Sequence, residues 1–226
     1  MPDRVSVVIP TLNEAESIGS VVHSMPWGQI AECIVVDNGS TDTTAEIACA
    51  AGARVVTSPR GYGSACAAGA SAAMASSDVL VFLDGDGSDD VSAMPQLLGP
   101  IELGEADFVI GSRMRGTAEP GALNGAQIFA AKLIGSLMKM LYGFRYTDMG
   151  PFRAIRRESL NRMQMHEMTY GWNLEMQIKA LKLGLRVVEI PVNYRRRIGG
   201  ESKVSGNAWA SVKAGVRILG VLARVR

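Results

Sequence analysis

Short apolar runs rich in β-branched residues alternate with segments of helical period, and this alternation constrains the fold more than any other feature of the sequence. Five such runs are predicted as strands, at residues 5–9, 33–36, 54–56, 79–83 and 108–110. Strands that alternate with helices form a mostly parallel sheet with helices packed on both faces. The sequence therefore predicts an α/β fold built on a mostly parallel sheet flanked by helices.

The strand predicted at residues 79–83 runs directly into four carboxylates, Asp84, Asp86, Asp89 and Asp90. On an extended chain Asp84 and Asp86 point to the same side, because side chains alternate along a strand. Two carboxylates this close raise each other's pKa unless a cation or hydrogen bonds compensate. Hard divalent cations prefer such oxygen ligands, so we predict that Asp84 and Asp86 bind a metal ion. Asp89 and Asp90 are candidates for capping the next helix, and either is a candidate third ligand.

Polar residues also follow the first two predicted strands. Thr11, Asn13 and Glu14 follow the first strand, where Asn13 is expected to cap a helix, and Asp37 follows the second strand. In sheets of this kind, ligands bind beyond the carboxyl ends of the strands, where the strand order switches. We therefore expect one pocket to collect these side chains together with Asp84 and its neighbours.

Two common phosphate-binding loops are missing from the sequence. The first strand-to-helix turn, residues 10–14, has no glycine and so lacks the dinucleotide-binding fingerprint, and the pattern G-x-x-x-x-G-K-[ST] does not occur. Carboxylates at the strand ends instead suggest a nucleotide whose diphosphate is bound through a metal ion.

Composition and charge narrow the class of protein further. The 226 residues suggest one large domain or one domain with an appendage, and a net charge of +1 argues against nucleic acid as a general partner. Three cysteines imply no disulfide framework and favour a reducing compartment. We see no signal-peptide pattern and no uncharged apolar stretch of the roughly 20 residues that a membrane span needs. These features predict a cytoplasmic location.

Two apolar helical segments and a cationic loop mark the second half of the chain. Residues 127–142 are amphipathic and too short to span a bilayer, so a core helix and a membrane-surface helix fit equally well. Residues 207–226 carry cations on one helical stripe and apolar side chains on another, which fits an interfacial or a domain-packing helix. Between them, Arg195, Arg196 and Arg197 begin a loop suited to phosphate oxygens, although a solvated charged face is the ordinary alternative.

Five motifs occur in order along the chain: Pro10-Thr11-Leu12-Asn13-Glu14, Val36-Asp37-Asn38-Gly39-Ser40-Thr41-Asp42, Asp84-Gly85-Asp86, Gly111-Ser112-Arg113, and residues 197–203. Together they resemble the family-2 glycosyltransferases with the GT-A (Rossmann-like) fold, and among these the dolichyl-phosphate mannose synthases and related bacterial polyprenyl-phosphate sugar synthases. The resemblance implies a single GT-A domain over residues 1–226. It further implies a nucleotide-sugar-binding half at 1–115 and an acceptor-binding half with C-terminal amphipathic, membrane-facing helices at 116–226.

The resemblance also implies roles for individual residues. A nucleotide-diphosphate sugar would have its base and ribose surrounded by Pro10, Thr11, Asn13, Glu14 and Asp37, with Asp84 beside them. Asp84 and Asp86 would bind Mg²⁺ or Mn²⁺ on the diphosphate. The catalytic set would be Asp86 with three cations that hold phosphates of donor or acceptor, Arg113, Arg197 and Lys203.

Two positions depart from the pattern of these synthases. Ser88 stands where the synthases commonly carry glutamine, and Asp89 and Asp90 follow it where prolines are common, which leaves the third metal ligand open. Asn38 stands where the motif D-D-G-S has its second aspartate, which leaves Asp37 as the sole carboxylate there and the choice of base open.

The implied activity is metal-dependent, inverting transfer of a hexose from a donor of the GDP-mannose or UDP-glucose type to a polyprenyl or dolichyl phosphate at the cytoplasmic membrane surface. An acceptor phosphate has a second pKa of about 6, so it arrives ionised and needs no general base. One alternative is a soluble family-2 transferase acting on a hydroxyl, with Asp148 or Glu175 as base, although we expect Asp148 to pair with Arg153. The other is a non-catalytic nucleotide-sugar-binding module.

Overall fold

The computed structural model describes residues 4–199. Within them the predicted strands and helices are present, with bounds that differ by a few residues. The strands are β1 (Val5–Thr11), β2 (Glu32–Asp37), β3 (Arg54–Thr57), β4 (Val79–Phe82), β5 (Phe108–Ser112), β6 (Arg153–Arg156) and β7 (Val187–Pro191). The helices are α1 (Ile18–His23), α2 (Thr44–Ala50), α3 (Tyr62–Ala72), α4 (Met94–Glu102), α5 (Gly125–Tyr142), α6 (Arg157–Met163) and α7 (Trp172–Lys182).

These strands form a single sheet in the order β3-β2-β1-β4-β6-β5-β7. β6 runs antiparallel to β4 and β5, and the other neighbouring strands are parallel, which confirms the predicted architecture. The chain adds β2 and β3 on one side of β1 before it crosses to β4 on the other side, so the strand order switches between β1 and β4. The carboxyl ends of these two strands therefore border the crevice where such sheets bind ligands.

Both faces of the sheet are covered by apolar cores. In β1, Val7 and Ile9 belong to one core cluster and Val8 belongs to the other, because successive strand residues point to opposite faces. In β4, Val81 and Phe82 divide in the same way. Burial on both faces explains why these strands are continuous apolar runs, and it holds β1 and β4 firmly beneath the polar residues that follow them.

Asn13 does not cap a helix, contrary to our prediction. Its backbone is left-handed with φ of 51°, and its side-chain oxygen accepts a hydrogen bond from the Thr41 N–H at 2.8 Å. The helix α1 begins only at Ile18, after Ser17. Capping preferences describe local backbone, whereas the partner of Asn13 lies 28 positions away in the chain.

The helix α5 packs one face on the core and exposes the other, which confirms its contribution to the core and leaves the membrane-surface alternative a prediction. Ile134 and Met138 are buried, whereas Phe129, Leu133 and Met140 are 68%, 47% and 73% exposed. Among the helices between residues 4 and 199, none is both long enough and apolar enough to cross a membrane. The amphipathic segment predicted at 207–226 and the predicted site residue Lys203 lie outside the described residues.

Candidate active site

A cleft of about 640 Å³, including its open mouth, lies at the switch point between β1 and β4. Six of the residues predicted for the site line it together: Pro10, Thr11, Glu14, Asp84, Asp86 and Arg197. Residues far apart in the sequence thus converge because the ends of β1 and β4 and a C-terminal loop meet here.

Asn13 and Asp37 border this cleft rather than line it. Asp37 pairs in register with Thr11 across the parallel strands, and its carboxylate accepts a hydrogen bond from the Ser40 N–H at 2.9 Å. Asn13 binds the same loop through the Thr41 N–H. The two side chains therefore fix the loop after β2 against the turn after β1.

Three carboxylates crowd together at the end of β4. Burial raises the pKa of Asp84 to about 7, and the neighbouring Asp86 carboxylate adds to the rise. Burial, Asp84 and Asp86 likewise raise the pKa of Asp89 well above its ordinary value. One Asp89 oxygen accepts a hydrogen bond from the Asp84 N–H at 3.1 Å, and the other is buried with no partner among the described residues. Such crowding destabilises the fold unless a cation compensates.

Asp86 is held by hydrogen bonds on one oxygen and by a cation on the other. Its Oδ1 accepts hydrogen bonds from the Ser88 N–H at 2.9 Å and the Ser88 hydroxyl at 2.5 Å. Its Oδ2 lies 2.6 Å from Arg197 Nη2, and Arg197 Nη1 lies 3.6 Å from Glu14 Oε1. Arg197 therefore places its positive charge inside the cleft, against a carboxylate predicted to bind a metal ion.

The donor set at the end of β4 fits a hard divalent cation. Asp84 and Asp86 supply carboxylate oxygens, and the partnerless oxygen of Asp89 belongs to the same acidic group. Between residues 4 and 199, no three His, Cys, Asp or Glu side chains are grouped so that they alone could hold a metal ion. Mg²⁺ sites at phosphates are commonly of this open kind, in which one or two carboxylates share the ion with substrate oxygens.

Asp90 has the capping role that we considered for it. Its carboxylate accepts a hydrogen bond from the Ser92 N–H at 3.3 Å, at the start of the short 3₁₀ turn Val91–Ala93 that leads into α4. The same oxygen lies 3.1 Å from Arg195 Nη2. The Asp90 carboxylate therefore caps the turn before α4 and forms an ion pair with Arg195 at the surface.

The loop that carries Arg197 is tied to the loop that carries Asp86. The Arg195 N–H donates to the Ser88 carbonyl at 2.8 Å, and the Ile198 N–H donates to the Asp86 carbonyl at 3.0 Å. These backbone bonds, one on each side of Arg197, hold its guanidinium over the acidic group.

A second cavity adjoins the first and is strongly cationic. It is lined by Ser88, Asn124 and Gln127 together with Arg195, Arg196 and Arg197, so Arg197 borders both cavities. Asn124 and Gln127 form a reciprocal capping box at the start of α5. The N-terminus of this 18-residue helix adds a partial positive charge to that of the arginines.

Asp148 pairs with Arg113, not with Arg153 as we expected. Arg113 Nε and Nη2 donate to the two Asp148 oxygens at 2.7 and 2.8 Å, and the Arg113 guanidinium stacks 4.9 Å from the centre of the Tyr194 ring. Arg153 is fully buried and donates to backbone carbonyls, including that of Gly150. Arg113 does not line the switch-point cleft in the described structure, so its role at a phosphate stays a prediction.

Glu175 is buried and fully engaged in hydrogen bonds and an ion pair, which argues against the predicted role of general base. It is 2% exposed and accepts hydrogen bonds from the His166 N–H at 3.1 Å and the Glu167 N–H at 2.7 Å. Its carboxylate also lies 2.8 Å from Lys179 Nζ. These contacts anchor the loop before α7, and Glu175 does not line the cleft.

Six of the residues that line the cleft were not predicted as site residues, and three of these are polar: Asn38, Tyr62 and Tyr170. Asn38 explains one departure from the family pattern: its amide donates to the Ser58 hydroxyl and the Pro59 carbonyl at 2.8 Å, which an aspartate cannot do. The signal for Tyr62 is its place between two glycines, in the turn that leads from β3 to α3. The half-exposed Tyr170 has no comparable signal in the sequence.

Comparisons with known proteins identify the family of the chain. A family model described as glycosyl transferase family 2 matches residues 6–163. An uncharacterized glycosyltransferase of Mycobacterium tuberculosis is 39% identical over 216 residues, which cover 94% of each chain. An undecaprenyl-phosphate mannosyltransferase of Micrococcus luteus is 32% identical over 241 residues, covering 98% of this chain and 96% of the relative.

Solved structures of glucosyl-3-phosphoglycerate synthase from Mycobacterium tuberculosis have a similar fold. A complex with phosphoglyceric acid has a TM-score of 0.77 at 26% identity and covers 96% of this chain and 79% of that chain. A complex with Mn²⁺ and UDP-glucose has a TM-score of 0.73 at 25% identity and covers 98% of this chain and 78% of that chain. The similarity extends over nearly the whole sheet and its helices.

Proposed function

Because this chain belongs to glycosyltransferase family 2 and has the GT-A fold, as its motifs predicted, we propose that it transfers a hexose from a nucleotide-diphosphate sugar to a polyprenyl phosphate, with inversion. The observation that carries the proposal is the pair Asp84 and Asp86 at the switch-point cleft, with Arg197 in contact with Asp86. The relative named an undecaprenyl-phosphate mannosyltransferase supports the class of acceptor.

The donor would occupy the switch-point cleft. Its base and ribose would lie near Pro10, Thr11 and Glu14, with Asn13 and Asp37 shaping the border. Its diphosphate would lie at the acidic group, where Mg²⁺ or Mn²⁺ held by Asp84 and Asp86 would supply positive charge to the leaving group. The Mn²⁺ and UDP-glucose complex of the structural neighbour supports this choice of cofactor.

Arg197 would stabilise charge on the departing diphosphate. Negative charge builds on that group as the glycosidic bond breaks, and a fixed cation in a partly buried site lowers the energy of that state. Arg197 is three-quarters buried and held by backbone bonds of its neighbours. We propose that Arg113 and Lys203 add further positive charge for phosphates of donor or acceptor.

The acceptor phosphate would lie in the cationic cavity beside the donor cleft. Arg195, Arg196 and the N-terminus of α5 would bind its oxygens, and the two cavities share Arg197, which places donor and acceptor side by side. A phosphate nucleophile is already ionised near neutral pH and needs no base. This agrees with the observation that Asp148 and Glu175, the two candidate bases, are both engaged in ion pairs.

The exposed face of α5 would place the acceptor side of the protein on a membrane. Phe129, Leu133 and Met140 form an exposed apolar stripe, flanked by Lys132 and Lys139, on a helix without acidic residues. Helices of this type lie in the interface of anionic membranes. Because α5 begins at the cationic cavity, a lipid phosphate at the membrane surface would lie close to it. We accordingly propose residues 116–226 as the acceptor-binding half, on the cytoplasmic side of the membrane, and residues 1–115 as the donor half.

One observation favours a second candidate, a small soluble phosphorylated acceptor. The structural neighbour glucosyl-3-phosphoglycerate synthase was solved with phosphoglyceric acid, and a cationic cavity would suit such a molecule as well as a lipid phosphate. Transfer to a soluble acceptor would not need the exposed apolar stripe on α5, and for this reason we favour a lipid phosphate as the acceptor.

A transfer assay tests the proposal. The full chain is incubated with labelled GDP-mannose or UDP-glucose, Mn²⁺ and anionic vesicles that contain undecaprenyl phosphate, and label is measured in the extracted lipid. A parallel reaction replaces the vesicles with 3-phosphoglycerate. We expect labelled lipid that disappears with chelator. Label on the soluble acid alone would favour the second candidate, and transfer at full rate in chelator would refute the metal role.

A further inference from the structure

Residues 194–199 form a strap across the mouth of the switch-point cleft. Near its end the strap is tied to the loop after β4, because the Ile198 N–H donates to the Asp86 carbonyl at 3.0 Å. The next residue, Gly199, lies so close to the turn after β1 that a Cβ atom there would collide with the Glu16 side chain. The strap therefore spans the cleft from the β4 side to the β1 side.

The guanidinium of Arg197, in the middle of this strap, contacts one carboxylate on each side of the cleft. Its Nη2 lies 2.6 Å from Asp86 Oδ2, after β4, and its Nη1 lies 3.6 Å from Glu14 Oε1, after β1. The other Asp86 oxygen accepts two hydrogen bonds from Ser88. Oδ2 is therefore the Asp86 oxygen that can turn to a metal ion, and Arg197 has to leave it when the ion binds there.

Glu14 is a fixed carboxylate on the opposite side of the cleft from Asp86. Its side chain is buried, its N–H donates to the Thr44 hydroxyl at 2.9 Å, and its carbonyl accepts a hydrogen bond from the Ile18 N–H at the start of α1. A buried carboxylate costs free energy unless a cation or hydrogen-bond donors compensate its charge. Arg197 is a cation in contact with it, so Glu14 already offers the guanidinium a second partner.

We propose that Glu14 is a positioning residue for Arg197: when a divalent cation binds Asp86, the guanidinium leaves that carboxylate and remains paired with Glu14. The pairing frees the Asp86 oxygen for the cation and keeps the charge of Arg197 beside the diphosphate. This role differs from contact with base and ribose, which the resemblance implies for Glu14. The inference rests on the proposed function, because it requires Asp86 to bind a metal ion.

Electron paramagnetic resonance of free Mn²⁺ measures the effect without turnover. Glu14→Gln keeps the size of the side chain and removes its charge, so that of these two carboxylates Arg197 keeps only Asp86. We expect Mn²⁺ to bind about tenfold more weakly, within the coupling found between members of one ion-pair network. Glu16→Gln is the matched control, because it removes the same charge two residues away, from a side chain that packs against Gly199. Its Mn²⁺ affinity should stay close to that of the wild type.

A double-mutant cycle shows whether Glu14 acts through Arg197. In an Arg197→Gln background, Glu14→Gln should cause little further loss of Mn²⁺ affinity, since the guanidinium that it holds is gone. An equal loss in both backgrounds would show that Glu14 acts on the metal ion directly and would overturn the inference. Wild-type Mn²⁺ affinity in Glu14→Gln would overturn it as well.

Nucleotide binding in chelator separates the proposed role from contact with base or ribose. Without metal, the affinity of Glu14→Gln for UDP or GDP should not fall, whereas a fall of the same size in both backgrounds would assign Glu14 to the nucleoside instead. Any of these results against the inference leaves the proposed function standing. A wild-type protein that binds no Mn²⁺, with or without nucleotide, would overturn the metal site and the inference with it. Melting temperatures without metal confirm that each variant is folded.

Discussion

Asp148 and Asp86 are equally buried, each 2% exposed, yet their surroundings differ. Both oxygens of Asp148 accept hydrogen bonds from Arg113, and the Met149 N–H donates to one of them at 2.7 Å. Asp86 instead shares its site with two other carboxylates whose pKa values are raised. A fully paired carboxylate holds the fold together, whereas crowded carboxylates repel one another until a proton or a further cation binds. Asp148 is therefore a structural residue, whereas Asp84, Asp86 and Asp89 are suited to bind a ligand.

The largest effect is expected on stability, from breaking the paired site. Asp148→Asn leaves the buried Arg113 without its counter-charge, and loss of one partner from a buried pair costs about 3–5 kcal/mol. Denaturant unfolding measures this loss. Asp107→Asn is the control, because Asp107 pairs with the half-exposed Arg186 and with Arg156, and exposed pairs contribute little to stability. Similar losses in both variants would contradict the structural role of Asp148.

The same variant tests whether Asp148 acts as a base. Per folded molecule, Asp148→Asn should keep the pH profile of the wild type, because an ionised phosphate acceptor needs no base. Disappearance of an acidic limb from the profile would instead indicate a hydroxyl acceptor with Asp148 as its base.

The next effect is expected on turnover, from the crowded site. Asp86→Asn removes a proposed metal ligand and should lower transfer to lipid phosphate by about 100-fold or more, as loss of charge stabilisation at a leaving group commonly does. Asp90→Asn, a few residues along the same acidic run, keeps the cap and should stay within a few-fold of the wild type. A labelled-lipid assay with both variants at equal concentration distinguishes a specific role from a general loss of negative charge.

A smaller and opposite effect is expected when the cation inside the cleft is removed. Arg197 contacts Asp86 at 2.6 Å, so it competes with a metal ion for that carboxylate. Arg197→Gln should therefore bind Mn²⁺ alone about tenfold more tightly, equivalent to about 1.4 kcal/mol, while its transfer rate falls. Arg195→Gln, which loses an exposed pair with Asp90, should bind Mn²⁺ like the wild type. Calorimetric titration without nucleotide measures both, and unchanged affinity in Arg197→Gln would show that the two cations do not compete.

The sequence predicted the crowded site better than the paired one, for a physical reason. Asp84 and Asp86 lie two residues apart at the end of a strand, so local geometry brings them together. Asp148 and Arg113 are 35 residues apart, and the predicted partner Arg153 was chosen only for its nearness in the chain. The sheet order, which decides this pairing, depends on long-range contacts that no local pattern records. The strand and helix pattern was predictable because burial on both faces leaves uninterrupted apolar runs.

The smallest effect is expected on the pH dependence of stability at Asp84. Its pKa is about 7 in the fold, against about 3.9 in an unfolded chain, so the folded state binds the proton more tightly. Without metal, stability should therefore fall as the pH rises from about 4 to 7, because the carboxyl group must ionise in a crowded site. Asp84→Asn removes this loss. At pH 8 without metal it should be more stable than the wild type, and the difference should shrink towards pH 4. Thermal unfolding at pH 4 and at pH 8, with and without Mn²⁺, measures the difference in stability between the two proteins. At pH 8, Mn²⁺ should make the wild type more stable than Asp84→Asn, because the metal ion stabilises only the protein that keeps the carboxylate.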